Sequence, residues 1–279
     1  MYKQIREELK NKASKEKAKI SQSFFKTGKG QYGEGDVFIG VTVPEQRIIA
    51  KRYVSASLKD IEYFLQSPIH EFRFTALVIL TEQFQKAKEK DRKEIFNFYI
   101  EQKEYINNWD LIDCTTPNIV GAYLFDKDKT LLYDFAQSSS MWERRMSIVA
   151  TFYFIRKNQY KETLDIAELL LKDKEDLIHK AVGWMLREVG KRDQEVLEMF
   201  LKKHYTTMPR TMLRYAIEKF PEEKRKSYLN PKVLKINMRE KSFEGKLPKK
   251  ILKGVEGECK ICKKAVQDLL AHNKSKHKI

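Results

Sequence analysis

Apolar residues recur at spacings of three and four along most of the first 230 residues, and no run alternates as a β-strand does. The chain has seven prolines and eleven glycines in 279 residues, and most glycines fall between Gly28 and Gly40 or in the last forty residues. The segment from Gly28 to Asp36 is predicted to be a loop, and Ser57 is predicted to cap a helix. The periodicity predicts helices over residues 2–20, 44–53, 57–67, 69–87, 90–102, 107–124, 129–138, 141–156, 160–171, 175–190, 193–203, 208–219 and 221–228.

Helices of this length joined by short loops favour an all-α solenoid built from packed helix pairs. The three tryptophans lie in similar short segments that recur at spacings of 33 and 42 residues, within the range of helical repeats. Because the segments share little identity, the repeat is one of structure rather than of sequence. An irregular helical bundle is the alternative.

A large positive charge sets the class of partner. The formal net charge is +16, with 55 Lys and Arg against 39 Asp and Glu. Such an excess favours a polyanionic partner, of which nucleic acid is the commonest, although a lysine-rich chain with solvated helix faces would also show it. Residues 231–279 carry 14 Lys and Arg against 5 Asp and Glu, which is more than half of the excess.

The helical pattern decays after residue 230, and three parts are predicted. These are a helical domain over 1–230, a basic linker over 231–254 and a small module over 255–279. The module contains Cys259, Cys262, His272 and His277, the ligand types of a tetrahedral structural zinc site, though with a short spacer between the cysteine and histidine pairs. The alternative is a basic tail with a chance motif.

Neither membrane insertion nor secretion is expected. No apolar run approaches the roughly 20 residues of a membrane span, and the Lys- and Glu-rich start does not resemble a signal peptide. Three cysteines do not suggest a disulfide framework, so a reducing cytoplasm is the expected compartment. His70 and Cys114 have no partners identifiable from the sequence and are expected to be structural.

Each tryptophan has a charged residue three or four positions later, on the same helix face. Trp109 precedes Asp113, Trp142 precedes Arg145, and Trp184 precedes Arg187. Aromatic and cationic side chains suit a surface that binds nucleic acid, and Trp142 is expected to pack inside while the other two face the partner.

Asp113 is the exception, since a carboxylate opposes phosphate binding. Its presence is explained if it stabilises positive charge or orients water while a bond to a sugar is cleaved, with aromatic rings holding a cationic group and Arg145 holding a phosphate. The alternative is that Asp113 simply pairs with Arg145.

Six motifs in order over residues 20–225 resemble the DNA alkylation repair family of HEAT-like-repeat DNA glycosylases. The first begins at Phe38 and the second at Pro68; the three tryptophan segments follow, and Leu213–Ile217 closes the set. The resemblance implies a HEAT-like (ARM-type) α-solenoid whose concave face holds duplex DNA. It also implies hydrolysis of the N-glycosidic bond of N3-methyladenine and N7-methylguanine, without a metal or redox cofactor for catalysis and without flipping the lesion into a deep pocket.

The family's functional residues carry over onto matching positions. The catalytic carboxylate matches Asp113, and the residues that accompany it match Trp109, Arg145 and Trp184. Arg187, Arg210, Arg214 and Lys180 are candidate DNA contacts, although the first three could equally form salt bridges between helices. Arg144 is expected to be solvated or to face a partner. The sequence departs from the family pattern at Asn108, where some relatives have an aromatic residue, and at 114–117, which interrupts the helix after Asp113.

The prediction is a monomeric glycosylase acting on double-stranded DNA with alkylated bases, with structural zinc in the tail. One alternative is a non-catalytic protein of the same fold that binds bent, damaged or branched DNA. A protein-binding helical scaffold is a third class, which the charge and the Trp, Asp and Arg set disfavour.

Overall fold

A computed structural model describes residues 1–230 and two short segments, Gly257–Glu258 (β1) and Ala265–Val266 (β2), which pair as antiparallel strands. The chain divides into two units, Met1–Leu229 and Asn230–Ile279. The predicted linker and the predicted zinc ligands Cys259, Cys262, His272 and His277 lie outside the described residues.

The first unit is a succession of helices, as the periodicity predicts. Its first half contains α1 (Tyr2–Asn11), α2 (Lys15–Phe24), α3 (Val43–Arg52), α4 (Leu58–Leu65), α5 (His70–Lys86), α6 (Glu89–Glu101), α7 (Trp109–Thr116) and α8 (Ala122–Leu124). Its second half contains α9 (Thr130–Ala136), α10 (Met141–Ala150), α11 (Phe152–Arg156), α12 (Lys161–Leu169), α13 (Asp176–Gly190), α14 (Gln194–His204), α15 (Arg210–Ala216) and α16 (Glu222–Leu229). Short 3-10 turns occupy Lys103–Tyr105 and Leu170–Lys172.

Several long predicted helices are divided in the structure. Residues 2–20 form α1 and the start of α2, because Ser14 adopts an extended conformation and its side chain accepts a hydrogen bond from Lys17 N as the cap of α2. The predicted helix 107–124 is α7, a π-helical turn over Pro117–Gly121, and α8. Pro117 has no N–H for the regular ladder, so the helix changes pitch there.

Helices that are two or three elements apart along the chain pack side by side in a row. Along this row α5 contacts α7, α7 contacts α10, α10 contacts α13, and α13 contacts α15. A second layer packs behind, in which α4 and α6 contact α5, α9 contacts α10, and α12 and α14 contact α13. Two layers of consecutive helix pairs are consistent with the predicted α-solenoid.

The α13 and α15 helices approach each other closely at Gly183. A Cβ atom added at Gly183 would lie 2.5 Å from both Met212 O and Tyr215 Cβ, so only glycine fits there. This contact fixes α13 against α15 at the level of Trp184, the next residue. None of the helices described for this chain is long and apolar enough to cross a membrane.

Candidate active site

A cleft of about 630 Å³ opens on the row of helices. Its walls come from α7, α10, α13 and α15, and its rim comes from the end of α2 and the loop that follows. The lining residues are Phe24, Lys26, Tyr32, Trp109, Asp113, Met141, Arg145, Glu175, Asp176, Leu177, Lys180, Trp184, Arg187 and Tyr215.

The structure brings the four predicted catalytic residues together in this cleft. Trp109 is the first residue of α7, and Asp113 follows one turn later. Arg145 lies on α10 and Trp184 on α13, the next two helices of the row. Residues up to 75 positions apart in the sequence thus share one cleft because the helices that carry them are neighbours in the row.

Asp113 and Arg145 form a two-pronged ion pair. Arg145 Nε donates to Asp113 Oδ1 at 2.9 Å, and Arg145 Nη2 donates to Asp113 Oδ2 at 2.8 Å. Arg145 Nη1 donates to the Leu177 carbonyl at the start of α13, and only 4% of Arg145 is exposed. The guanidinium therefore orients Asp113. The sequence left open whether Arg145 holds a phosphate or pairs with Asp113, and the structure shows the pair.

Burial and the charge of Arg145 shift the pKa of the Asp113 carboxyl in opposite directions. Burial raises its pKa above the ordinary value of 3.8, and Asp110 adds to this, while the Arg145 guanidinium opposes the rise. The side chain is 15% exposed, so one edge of the carboxylate still reaches the cleft. Such a group can respond to a positive charge brought into the cleft.

Aromatic rings flank the carboxylate on both sides. The Trp109 ring stacks on Phe25 at a centroid distance of 5.3 Å and meets Phe24 edge-on at 6.0 Å. On the other side, Trp184 contacts Phe152 at 5.4 Å. Phe24 is 63% exposed although it lines the cleft, which leaves an apolar lip at the rim.

Trp142 does not line the cleft, unlike Trp109 and Trp184. It is partly buried, and its ring meets Tyr32 edge-on at 6.4 Å, so it packs less deeply than predicted. Phe24, Phe25, Tyr32 and Tyr215 were not anticipated as site residues. Aromatic side chains next to the glycine-rich loop were the available signal for the first three, but nothing in the sequence shows that this segment folds over α7.

A buried polar network lies under Trp109. His70 Nδ1 lies 3.0 Å from Asp36 Oδ2, and His70 Nε2 lies 2.8 Å from Asp110 Oδ2. Burial by itself lowers the pKa of His70, but the two carboxylates outweigh it and raise the pKa to about 9. Arg73 also donates to Asp36 Oδ1. His70 is structural, as expected, but it has partners that the sequence did not reveal.

The contacts of Asn108 explain why an asparagine, and not an aromatic residue, stands at this position. Asn108 caps α7, with its Oδ1 accepting from Trp109 N at 2.8 Å, and its Nδ2 donates to Asp36 Oδ2 at 3.0 Å. The side chain is fully buried. An aromatic residue here would lose both contacts, so the network and the cap are built as one unit.

Sequence comparison identifies the family. The sequence profile described as DNA alkylation repair enzyme matches residues 5–220, which include every lining residue of the cleft. The chain belongs to the DNA alkylation repair enzyme family. Among curated proteins, none matches the sequence at a significant level.

Solved structures of similar fold include a protein of Enterococcus faecalis described as a predicted DNA alkylation repair enzyme. It aligns with a TM-score of 0.62 and 17% identity over 76% of this chain and 98% of its own. The protein smu.31 of Streptococcus mutans UA159 aligns with a TM-score of 0.46 and 18% identity, over 64% of this chain and 93% of its own. At such identity, the first similarity supports the fold alone.

For a DNA repair enzyme, the cations near the cleft bear on substrate binding. Lys180 lines the cleft and pairs with Asp176 at 2.8 Å, while Arg187 lines it and is bound by Glu218. Arg210 and Arg214 do not line the cleft; both are exposed, and Arg210 donates to the Leu229 carbonyl at 3.0 Å. Lys180 and Arg187 are therefore the two of the four that the structure brings near Trp184.

Arg144 also differs from its prediction. It is not solvated, because its Nε donates to Asp173 Oδ2 at 2.6 Å and its Nη1 donates to the Ser138 and Ser139 carbonyls at 2.9 Å. Arg144 thus braces α10 against neighbouring loops. Within residues 1–230, no group of three or more His, Cys, Asp and Glu side chains is arranged to hold a metal ion.

Proposed function

We propose that this DNA alkylation repair enzyme is a DNA glycosylase for cationic alkylated purines, N3-methyladenine and N7-methylguanine, in duplex DNA. The observation that carries the proposal is the oriented carboxylate of Asp113 between the Trp109 and Trp184 rings in one cleft. A carboxylate at that position serves no purpose in holding phosphates, but it suits the stabilisation of positive charge on a sugar.

The proposed reaction is hydrolysis of the N-glycosidic bond. The bond from C1′ to the base nitrogen breaks, and its electron pair leaves with the base, which thereby loses its positive charge. Water adds to C1′ and releases one proton. Because the alkylated base is already a good leaving group, the protein has mainly to stabilise the oxocarbenium-like sugar. The ionised Asp113 does so and positions the attacking water.

The remaining cleft residues orient the reactants. The faces of Trp109 and Trp184 attract the cationic nucleotide through cation–π contacts. Arg145 holds both oxygens of Asp113 in a fixed direction, so the carboxylate needs no reorganisation when charge develops. Met141 and Leu177 lie on the lining beside this pair. The lesion stays at this open surface without being flipped into a deep pocket.

The proposal extends to the rest of the molecule. The helix pairs are HEAT-like repeats, and the enzyme acts as a cytoplasmic monomer. The hydrolysis needs no catalytic metal or redox cofactor, since the leaving group supplies its own activation. Cys259, Cys262, His272 and His277 bind a structural zinc ion, so that the tail adds affinity for DNA through its effective concentration.

One observation favours the non-catalytic alternative. Both Asp113 oxygens already accept hydrogen bonds from Arg145, which neutralises much of the charge that catalysis requires. A protein of this kind would bind bent, damaged or branched DNA without cleaving it.

A duplex with a single N7-methylguanine separates the two functions. The glycosylase proposal predicts free N7-methylguanine and one abasic site per duplex, with no product from a matched duplex containing 8-oxoguanine, a neutral base that is a poorer leaving group. If the protein binds the methylated duplex but abasic sites stay at the level of spontaneous loss, the non-catalytic alternative replaces the glycosylase.

A further inference from the structure

The aromatic surface of the cleft continues past Trp184 to a cluster of cations. Phe152, at the start of α11, contacts the Trp184 ring, and the Arg156 guanidinium lies over the Phe152 ring at 4.1 Å from its centroid. Arg156 Nη1 also approaches Asn118 Oδ1 at 3.5 Å, on the π-helical turn that follows α7. Arg156 therefore joins α11 to the π-helical turn, and the Phe152 ring connects it to Trp184 of α13.

Glu188 lies close to three cations of this cluster, Arg187, Lys191 and Arg192. Its carboxylate, nearly buried on α13, accepts from Lys191 Nζ at 2.6 Å and from Arg192 Nη1 at 3.4 Å, and it lies 3.8 Å from Arg187 Nε. Arg187 is shared with Glu218. One buried carboxylate thus faces three cations, which orients them but leaves positive charge in excess.

Arg156 adds to that excess. Within residues 1–230, no carboxylate forms an ion pair with it. Partial burial and the positive charge of Arg192 lower its pKa from the ordinary value, while Glu188 opposes the shift. Two guanidinium groups that repel each other are stabilised most when an anion lies between them.

We propose that Arg156, Lys191 and Arg192 form a binding site for a backbone phosphate of duplex DNA, with Glu188 as the positioning residue. The Arg156 guanidinium is held over the Phe152 ring, and a guanidinium carries its N–H groups in the planar fork that matches phosphate oxygens. The site fixes the strand beside Trp184, so the lesion is held against Asp113. This inference rests on the proposed function, specifically on the binding of duplex DNA.

The test measures the affinity of the full chain for an undamaged duplex by fluorescence anisotropy between about 50 and 200 mM salt, the range in which phosphate contacts change affinity most. The double variant Arg156→Gln/Arg192→Gln is compared with wild type. Each lost phosphate contact reduces the slope of log K against log salt by about 0.9, and the affinity falls on the order of tenfold.

Arg92→Gln is the matched control. Arg92 likewise lies over a phenylalanine ring, Phe84 at 5.4 Å, but it is on α6, in the layer behind the row. The Arg92→Gln variant should leave the salt dependence of binding and the affinity for DNA unchanged. The charge-preserving variant Arg156→Lys/Arg192→Lys should keep the slope, and melting curves of all variants show whether each is folded.

The outcomes separate this inference from the proposed function. If the wild-type slope is steep and a folded double Gln variant retains it, the phosphate site is wrong and the glycosylase proposal stands. A shallow slope for wild type itself contradicts both. If the double Gln variant unfolds, the double Lys variant decides, because loss of the slope there would contradict a site that depends on positive charge.

Discussion

At the scale of single residues, the pairing of Asp113 with Arg145 is the decisive feature. Sequence reasoning kept open whether Arg145 holds a phosphate or pairs with Asp113, because spacing along two helices does not fix how those helices pack. The structure shows the pair. A buried ion pair of this kind is costly to keep unless both partners remain, and here it orients a carboxylate in a cleft.

Replacing Arg145 tests what the pair does. In Arg145→Gln, burial acts on Asp113 without an opposing charge, so the pKa of Asp113 rises further. If catalysis needs the ionised carboxylate, the acid limb of the rate against pH moves to higher pH than in wild type. Single-turnover rates on N7-methylguanine DNA across the pH range measure this shift.

Arg145→Lys keeps a positive charge and should show a smaller shift of the acid limb. Loss of one partner of a buried pair lowers the free energy of unfolding by about 3 kcal/mol, so folding is checked by melting. An acid limb at the same pH in wild type and in a folded Gln variant would show that Asp113 is not the titrating group.

At the scale of elements, three segments meet at His70. The histidine begins α5, Asp36 belongs to the loop before α3, and Asp110 lies in the first turn of α7. Phe38 stacks on the His70 ring at 4.6 Å and on Phe25 at 4.9 Å, and Phe25 in turn stacks on Trp109. The network thus joins the position of Trp109 to the N-terminal helices.

The protonated state of His70 makes this junction sensitive to pH. Its folded pKa of about 9 lies above the ordinary value of 6.5, so the network stabilises the fold fully below about pH 6.5 and loses that contribution as pH rises through 9. The loss amounts to up to about 3 kcal/mol. Urea unfolding at pH 6 and pH 9 should show it in wild type and largely not in His70→Gln. Equal pH dependence in the two proteins would exclude a charged His70.

Helix existence could be predicted from the sequence, but helix interruptions could not. The apolar period predicted the helical segments from α3 to α16, although it joined α7 with α8 and α10 with α11. The break after α1 depends on the hydrogen bond of the Ser14 cap, and the π-helical turn depends on the N–H that Pro117 lacks. The spacing of apolar residues carries no information about either.

At the scale of the whole molecule, the site exists because of the order in which helices pack. Trp109, Asp113, Arg145 and Trp184 were predicted from family motifs, and the row α7, α10, α13 brings them to one cleft. The aromatic lip from Phe24 and Phe25 and the cations around Glu188 could not be predicted, since they depend on contacts between segments far apart in the sequence. The positive charge that suggested DNA is explained only in part by Lys180 and Arg187, both of which are paired.

The central claim is that Asp113 performs the chemistry in this cleft, and one measurement tests it most directly. Single-turnover release of N7-methylguanine is compared for wild type, Asp113→Asn and Glu175→Gln. Glu175 is a matched control, because its carboxylate lines the same cleft but is exposed. We expect Asp113→Asn to lower the rate by roughly 10²–10³, as the loss of a preorganised charge stabiliser does, and Glu175→Gln to stay near wild type. A folded Asp113→Asn enzyme that releases the base at the wild-type rate would contradict the account.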